Sequence, residues 1–107
     1  MTKKTLENFN IAFFGTPEFA VYILEELVKE GVTPSIVVTQ PDKPAGRGLQ
    51  LMSPAAKTWA LDNDIPVIQP ERLSPEDPQS DIIWNNEWDL FIVAAYGKMI
   101  PERVLAL

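Results

Sequence analysis

The sequence predicts an α/β fold, a three-layer Rossmann-like parallel sheet with helices on both faces that is incomplete at its C-terminal end. Short apolar runs alternate with amphipathic helical patterns from residue 9 onward, and strands separated by helices pair in parallel. The apolar runs lack the alternation of a half-exposed strand, as expected for strands covered on both faces. A last helical pattern begins at Pro101 and is unfinished at Leu107.

The first half of the chain carries the clearest elements. Residues 9–14 predict a buried strand, and apolar residues recurring every four positions then predict a helix that ends before a glycine. Thr16 is expected to cap this helix with its hydroxyl, with Pro17 at the first helical position. Residues 34–39 predict a second strand. Residues 40–51 contain two prolines and two glycines and are expected to form a loop.

The second half is less regular. Ser53 followed by Pro54 repeats the capping signal and predicts a helix that ends at Asn63, followed by a minimal strand at 66–70. Residues 71–88 give a weak signal for a short helix. Its candidate buried face is Ile82, Ile83 and Trp84. Residues 89–95 predict a fourth strand, which is apolar throughout and is therefore expected at the centre of the sheet.

Composition narrows the class of protein. Nine basic and fifteen acidic residues give a net charge of -6, which argues against binding nucleic acid with the whole surface. The chain has no cysteine and no histidine, so the commonest metal ligands and the commonest general base are missing. Residues 1–8 are interpreted as a polar extension without a signal peptide, and residues 9–107 as one domain. The expected location is the cytoplasm.

Three segments lie where a parallel sheet binds its ligands, beyond the carboxyl ends of the strands. The first is Gly15, Thr16 and Pro17, whose amides can receive an anion at a helix start or can form an ordinary helix cap. A nicotinamide-dependent oxidoreductase is disfavoured, because this turn has one glycine and no acidic residue ends the second strand.

The other two segments follow the second and fourth strands. Lys43 and Arg47 form a small basic group in an acidic chain, and glycines flank Arg47, which favours phosphate or base contacts over a plain solvated connection. Met99 and Ile100 can line a slot for a flat ring, or they can pack under the next helix. Both alternatives stay open from the residues alone.

Taken together, three stretches resemble the N-terminal domain of the methionyl-tRNA formyltransferase family. The stretches are Ile11-Ala-Phe-Phe-Gly-Thr-Pro-Glu-Phe-Ala20, Thr39-Gln-Pro-Asp-Lys-Pro-Ala-Gly-Arg-Gly48 and Val93-Ala-Ala-Tyr-Gly-Lys-Met-Ile-Pro101. The second is the most specific. The resemblance implies an enzyme that moves a formyl group from 10-formyltetrahydrofolate to the α-amine of methionine on initiator tRNA, without a metal.

The resemblance also implies roles for particular residues. Lys43 and Arg47 would contact the tRNA, and the turn of Gly15, Thr16 and Pro17 would border the acceptor side of the cleft. The folate would be bound by five consecutive residues, Tyr96, Gly97, Lys98, Met99 and Ile100. At Lys98 and Met99 the sequence departs from the resemblance, because the family more often has aliphatic residues there.

The resemblance assigns no catalytic residue to this chain. The family's Asn-x-His segment has no counterpart here, since the sequence contains no histidine. The chain is therefore expected to be an enzyme fragment without turnover, and its uncovered sheet edge is expected to self-associate. The alternative is a stand-alone, non-catalytic Rossmann-like module that binds a small molecule or RNA.

Overall fold

The computed structural model describes residues 9–45, 50–97 and 100. Within these residues the elements follow in chain order as β1 (Ile11–Gly15), α1 (Glu18–Lys29), β2 (Ile36–Val38), β3 (Lys43–Ala45), β4 (Gln50–Met52), α2 (Ala55–Asp62), β5 (Val67–Ile68), a 3-10 turn (Pro78–Ser80), α3 (Asp81–Trp84) and β6 (Leu90–Ala94).

Four of the strands form one parallel sheet in the order β5-β2-β1-β6. The central strand β1 is buried along its whole length. Its Phe13 lies opposite Val37 of β2 and Ile92 of β6. Strands β2 and β5 lie on one side of β1, whereas β6, which follows β5 in the chain, lies on the other side. α/β sheets bind ligands beside the point where the strand order reverses in this way.

The two faces of the sheet are covered by different elements. Helices α1 and α2 pack on the first face through a cluster of Phe13, Ala20, Leu24, Val37, Ala56, Ala60 and Ile65. The second face is covered by α3 and the chain before it, through Ala12, Phe14, Ile36, Val38, Leu73, Ile83 and Tyr96. The α/β Rossmann-like fold predicted from the sequence is confirmed.

Helix α1 ends as its sequence predicts. Gly31 adopts a φ of 82°, which glycine reaches without a Cβ penalty. The Gly31 amide donates to the Val28 carbonyl at 3.0 Å and the Val32 amide donates to the Leu27 carbonyl at 2.9 Å. This pair of bonds satisfies two of the carbonyls that a helix end leaves open.

The predicted side-chain caps at the two helix starts are wrong. Both helices begin one residue later than expected, with Pro17 and Pro54 as the capping residues and no side-chain cap bond. The Thr16 hydroxyl donates instead to the Tyr96 carbonyl at 2.7 Å, and the Ser53 hydroxyl donates to Asp42 at 3.3 Å. In both places a partner distant in sequence replaces the local backbone amide.

The segment predicted as a loop contains regular structure. Strands β3 and β4 form an antiparallel ribbon, in which Lys43 lies opposite Met52 and Pro44 lies opposite Leu51. A proline is tolerated there because each strand of a two-stranded ribbon has an open edge that needs no amide donor. The two strands are joined by residues 46–49, which lie outside the described part.

The structure also tests the predictions for the short helix in 71–88 and for the fourth strand. The short helix expected in 71–88 is present as α3, with Ile83 buried, Trp84 half-buried and Ile82 exposed. The fourth predicted strand, β6, lies at an edge of the described sheet and not at its centre. The helix predicted from Pro101 onward lies outside the described residues.

Candidate functional site

A cleft of about 530 Å³ opens at the carboxyl edge of the sheet, where β1, β2 and β6 end. Its lining includes proline and methionine side chains, hydroxyl and amide groups, and one lysine, which is the only charged side chain among the described lining residues. Such a mixture suits a ligand with an apolar body and a few polar groups. The lining residues are Thr16, Pro17, Gln40, Pro41, Lys43, Met52, Ser53, Pro54, Ala95 and Gly97.

The three strand ends are held together by one backbone carbonyl. The Tyr96 carbonyl, after β6, accepts from the Thr16 hydroxyl at 2.7 Å and from the Gln40 side-chain amide at 2.9 Å. The Thr16 oxygen in turn accepts from the Gln40 backbone amide and from the Thr39 hydroxyl, each at 3.3 Å. A hydroxyl has one proton and two lone pairs, so Thr16 uses its full hydrogen-bonding capacity here.

The turn after β6 has an unusual backbone. Ala95 has a φ of 57° and Gly97 has a φ of 87°. A Cβ on Gly97 would lie 2.0 Å from the Gln40 amide nitrogen. A Cβ and the Gln40 amide cannot both occupy these positions, so the glycine allows Gln40 to approach the Tyr96 carbonyl.

Gly15 permits a second close approach below the cleft. A Cβ built there would lie 2.7 Å from the Ala20 Cβ and 2.8 Å from the Ala94 carbonyl oxygen. Helix α1 and strand β6 are therefore both packed directly against the Gly15 backbone. The nearby Thr16 carbonyl accepts from the Ala56 amide at 3.1 Å, which joins the start of α2 to the same turn.

The Tyr96 side chain points away from the cleft. Its ring is 2% exposed and packs edge-on against Phe14 at a centroid distance of 5.6 Å. Its hydroxyl has no hydrogen-bond partner among the described residues, and burial raises the pKa of Tyr96 to about 12. Tyr96 therefore faces the cleft region with its backbone and the core with its ring.

An acidic residue anchors the ribbon beside the cleft. Asp42 accepts from the Gln69 amide at 2.7 Å and from the Lys57 ammonium at 3.1 Å, and Ser53 adds a longer bond at 3.3 Å. The Gln69 bond and then the Lys57 bond hold the pKa of Asp42 below its ordinary value. The ribbon is thus tied to α2 and to the chain after β5.

The structure brings together part of the predicted site. Thr16, Pro17 and Gly97 line the cleft, and the exposed Lys43 lies on its ribbon wall. Gly15 is buried below them. Ile100 packs against the Tyr96 side of the core. The predicted residues Arg47, Lys98 and Met99 lie outside the described residues.

Several lining residues were missed by the sequence reasoning, above all Gln40. It directly follows the end of the second strand, and in a parallel sheet that position lies beside Thr16. Its place in the chain was therefore a usable signal, but only the basic residues of this segment were singled out. Met52 and Ser53 follow a segment whose prolines and glycines predict an irregular loop, so the sequence does not mark them as lining residues.

The described residues limit the chemistry of the cleft. They contain no group of three or more acidic, cysteine or histidine residues able to hold a metal ion. No carboxylate is among the described residues that line the cleft. Within the same residues no helix is both long and apolar enough to cross a membrane. The cleft so described offers hydrogen-bond donors and acceptors together with one cation.

Comparison with known proteins identifies the family. A family model for formyl transferases matches residues 9–107. Methionyl-tRNA formyltransferases from Nitrosomonas europaea, Marinobacter nauticus and Syntrophus aciditrophicus are 45%, 47% and 45% identical to this chain over 97, 95 and 101 residues. These alignments cover 91%, 89% and 94% of the chain but only 30%, 30% and 32% of the relatives.

The chain thus spans about a third of the length of the curated relatives that it matches. The match begins just before β1, includes Gly15 at the end of that strand and Thr16 after it, and continues through the ribbon and the turn after β6. The three segments that meet at the cleft all lie inside it, and the resemblance noted from the sequence is confirmed. This chain belongs to the formyl transferase family.

Proposed function

We propose that the chain forms two walls of the substrate cleft of a methionyl-tRNA formyltransferase, acting in the cytoplasm. The enzyme would transfer a formyl group from 10-formyltetrahydrofolate to the α-amine of methionine on initiator tRNA. The observation that carries the proposal is the cleft itself, where the segments after β1, β2 and β6 meet at the Tyr96 carbonyl. The names of the relatives support methionyl-tRNA as the acceptor and a formyl group as the group transferred, and the folate donor follows from the resemblance noted from the sequence.

The two walls would serve different substrates. The residues from Tyr96 to Ile100 in the sequence, which include Lys98 and Met99, would bind the folate. The Tyr96 ring is buried, so Tyr96 would contribute backbone groups and not its side chain. Lys43 on the ribbon wall would face the tRNA, whose phosphates favour cationic side chains, and Arg47, which lies between the two ribbon strands in sequence, would contact it as well. Gly15, Thr16 and Pro17 would border the side where the acceptor amine enters.

This chain alone would bind substrates without catalysing transfer. The amine nitrogen must bond to the formyl carbon and lose a proton, while the bond from that carbon to the folate nitrogen breaks and this nitrogen gains a proton. These steps need a base and a donor for the developing oxyanion. The described cleft residues include no histidine and no carboxylate. We therefore assign no catalytic residue here.

A titration followed by NMR tests the folate wall. The ¹⁵N-labelled chain is titrated with 5-formyltetrahydrofolate as a stable probe and, separately, with NADH. Saturable shifts are expected at the amides of Thr16, Ala95 and Gly97 with the folate only, while residues 28–32 at the far end of α1 stay unchanged. Folate shifts that do not saturate, or saturation by NADH at the same amides, would overturn this assignment.

The tRNA wall is tested by affinity. Methionyl initiator tRNA should bind the chain, and Arg47→Ala should weaken that binding about tenfold or more, since a hydrogen bond to a charged group contributes roughly 1.5–3 kcal/mol. The 5-formyltetrahydrofolate affinity of the variant should be unchanged. Equal losses for both ligands would show that the segment around Arg47 is only a structural connection. In a formyl-transfer assay the isolated chain should give no product.

We also propose that the isolated chain associates with a second copy through β6. Among the described strands β6 pairs only with β1, so its other edge presents backbone donors and acceptors. Leu90 and Val93 on this strand are exposed. An uncharged apolar edge is a template for strand pairing.

A further inference from the structure

Gln40 makes contacts that its place in the sequence does not explain by itself. Its side-chain amide donates to the Tyr96 carbonyl at 2.9 Å, and its backbone amide donates to the Thr16 hydroxyl at 3.3 Å. Its carbonyl accepts from the Gln69 side chain at 3.1 Å. One residue therefore connects the ends of β1, β2 and β6 and the chain after β5.

The turn that Gln40 contacts needs support. A non-glycine residue is disfavoured in the left-handed region, because its Cβ approaches the following carbonyl oxygen too closely, and Ala95 has a φ of 57°. Gly97, two residues later, also has a positive φ. The intervening Tyr96 carbonyl is the group that accepts the two side-chain hydrogen bonds, from Gln40 and Thr16.

Gln40 and Gly97 form a matched pair. The amide nitrogen of Gln40 lies 2.0 Å from where a Cβ of residue 97 would be. Glycine at 97 is therefore what lets the amide reach the carbonyl. Only a side chain that donates a proton can make this contact, because a carbonyl oxygen accepts and does not donate.

We propose that Gln40 is a positioning residue of the cleft. Its side-chain amide holds the turn of Ala95, Tyr96 and Gly97 in the strained conformation that shapes the folate wall. It does so from the other wall of the cleft, at the start of the chain that leads into the ribbon. The ligand in this proposal rests on the proposed function, whereas the effect on the turn does not.

The test uses Gln40→Glu in the full 107-residue chain, with Gln79→Glu as the matched control. Gln79 is exposed on the 3-10 turn, so the control adds the same charge away from the cleft. Glutamate keeps the size of glutamine, but when ionised it presents only acceptors to the Tyr96 carbonyl. At pH 7 the Gln40→Glu variant should bind 5-formyltetrahydrofolate at least tenfold more weakly than the wild type and the control.

A second measurement follows the turn without ligand. In Gln40→Glu the heteronuclear NOE of the Ala95 and Gly97 amides should fall at pH 7. It should recover as the pH falls from about 6 to below about 4, because the ordinary pKa of glutamate is about 4.3 and a protonated glutamate donates again. The same pH series is recorded on the wild type and on Gln79→Glu. It measures how nearby charged groups such as Asp42, Lys43 and Lys57 change the NOE, and this change is subtracted. A role in general stability alone would lower the NOE at residues 28–32, at the end of α1 and in the chain after it, as well, and not only at Ala95 and Gly97.

The outcomes separate the two proposals. Wild-type affinity in Gln40→Glu, or NOE values unchanged at pH 7, would overturn the positioning role. An NOE loss without recovery at low pH would also overturn it. If the wild-type chain binds no folate, the proposed function fails, and the pH-dependent NOE then decides the role of Gln40 by itself.

Discussion

The backbone carbonyl and the side chain of Tyr96 lie in two different environments. Its carbonyl accepts the two side-chain bonds that join the cleft walls, while its ring packs against Phe14 in the core. The buried hydroxyl has no partner in the described part of the chain. An unsatisfied buried polar group costs roughly 1–3 kcal/mol, so the ring and the hydroxyl act on stability in opposite directions.

Replacing Tyr96 with phenylalanine should therefore leave the free energy of unfolding at pH 7 unchanged or raise it by about 1 kcal/mol. At high pH the stability of Tyr96→Phe should exceed that of the wild type by more than it does at pH 7. The pKa of Tyr96 is about 12 in the folded chain and 10.0 ordinarily, so the unfolded chain loses its proton first. Wild-type stability should fall by up to about 3 kcal/mol as the pH rises from 10 to 12. Urea unfolding at each pH measures this.

Tyr22→Phe is the control for that series. Tyr22 is 59% exposed on α1, so its removal should leave the fall between pH 10 and 12 in place. The Tyr96→Phe chain should lack most of the fall. An equal slope in both variants would mean that the Tyr96 phenol ionises as easily in the folded chain as in the unfolded one.

Two glycines give a second pair of substitutions. Gly15→Ala places a Cβ 2.8 Å from the Ala94 carbonyl oxygen, and overpacking of this kind costs about 1–3 kcal/mol. Gly31→Ala meets no atom within 4 Å and is opposed only by its φ of 82°, a cost of roughly 1–2 kcal/mol. Gly15→Ala should therefore lower the thermal midpoint more. The reverse order would show that β6 and α1 yield easily at Gly15.

At the scale of elements, the ribbon of β3 and β4 depends on contacts outside itself. A lone two-stranded ribbon is marginally stable in water, but Asp42 ties this one to Lys57 on α2 and to Gln69 after β5. The pKa of Asp42 is lowered in the folded chain. Its stabilising contribution is thus present above the ordinary carboxyl pKa of about 4 and is lost as the pH falls through the lowered value.

Asp42→Asn should loosen the ribbon at pH 7, because the amide keeps the size of the side chain but not its charge. Trypsin cleaves after Arg47, which lies between the two strands in sequence, and that cleavage should become severalfold faster. Mass spectrometry of the early fragments gives the rate. Asp62→Asn, at an exposed residue of α2, should leave it unchanged; a similar rise there would point to a general effect of charge.

How far these elements could be predicted depends on where their partners lie in sequence. The end of α1 uses bonds from Gly31 and Val32 to the last turn of the same helix, and local residues predict it. The hydroxyls of Thr16 and Ser53 donate hydrogen bonds to groups 80 and 11 residues away. A capping rule considers only the neighbouring residues, so it cannot predict these bonds. The ribbon was missed for the same reason, since Lys57 and Gln69 anchor it from beyond the segment.

At the scale of the whole molecule, the sheet order explains why β6 was misplaced. An apolar run such as Leu90–Ala94 is typical of a central strand. In the described sheet it lies at an edge, with Leu90 45% and Val93 51% exposed. The pattern correctly indicates a strand suited to burial, but neighbours in a sheet are set by pairings that the run itself does not encode.

Association through this edge should appear in sedimentation velocity as a dimer that grows with protein concentration. Val93→Lys should shift the chain to monomer, because charged side chains disfavour edge pairing. Leu61→Lys makes the same change at a residue that is 55% exposed on α2, and should leave the dimer in place. A wild-type chain that stays monomeric at all concentrations would refute the pairing.

The pairing of β1 with β6 also determines the order in which the chain can fold. Asn10 and Asp89, which precede these strands and are bonded to each other at 2.7 Å, lie 79 residues apart in sequence. Contacts of such long range form slowly, because the connecting chain must first lose its freedom. During synthesis, at about 5–20 residues per second, β1, α1 and β2 can assemble for several seconds before β6 exists. Over that interval β1, which is buried along its whole length in the folded chain, has one side open to other nascent chains and to chaperones.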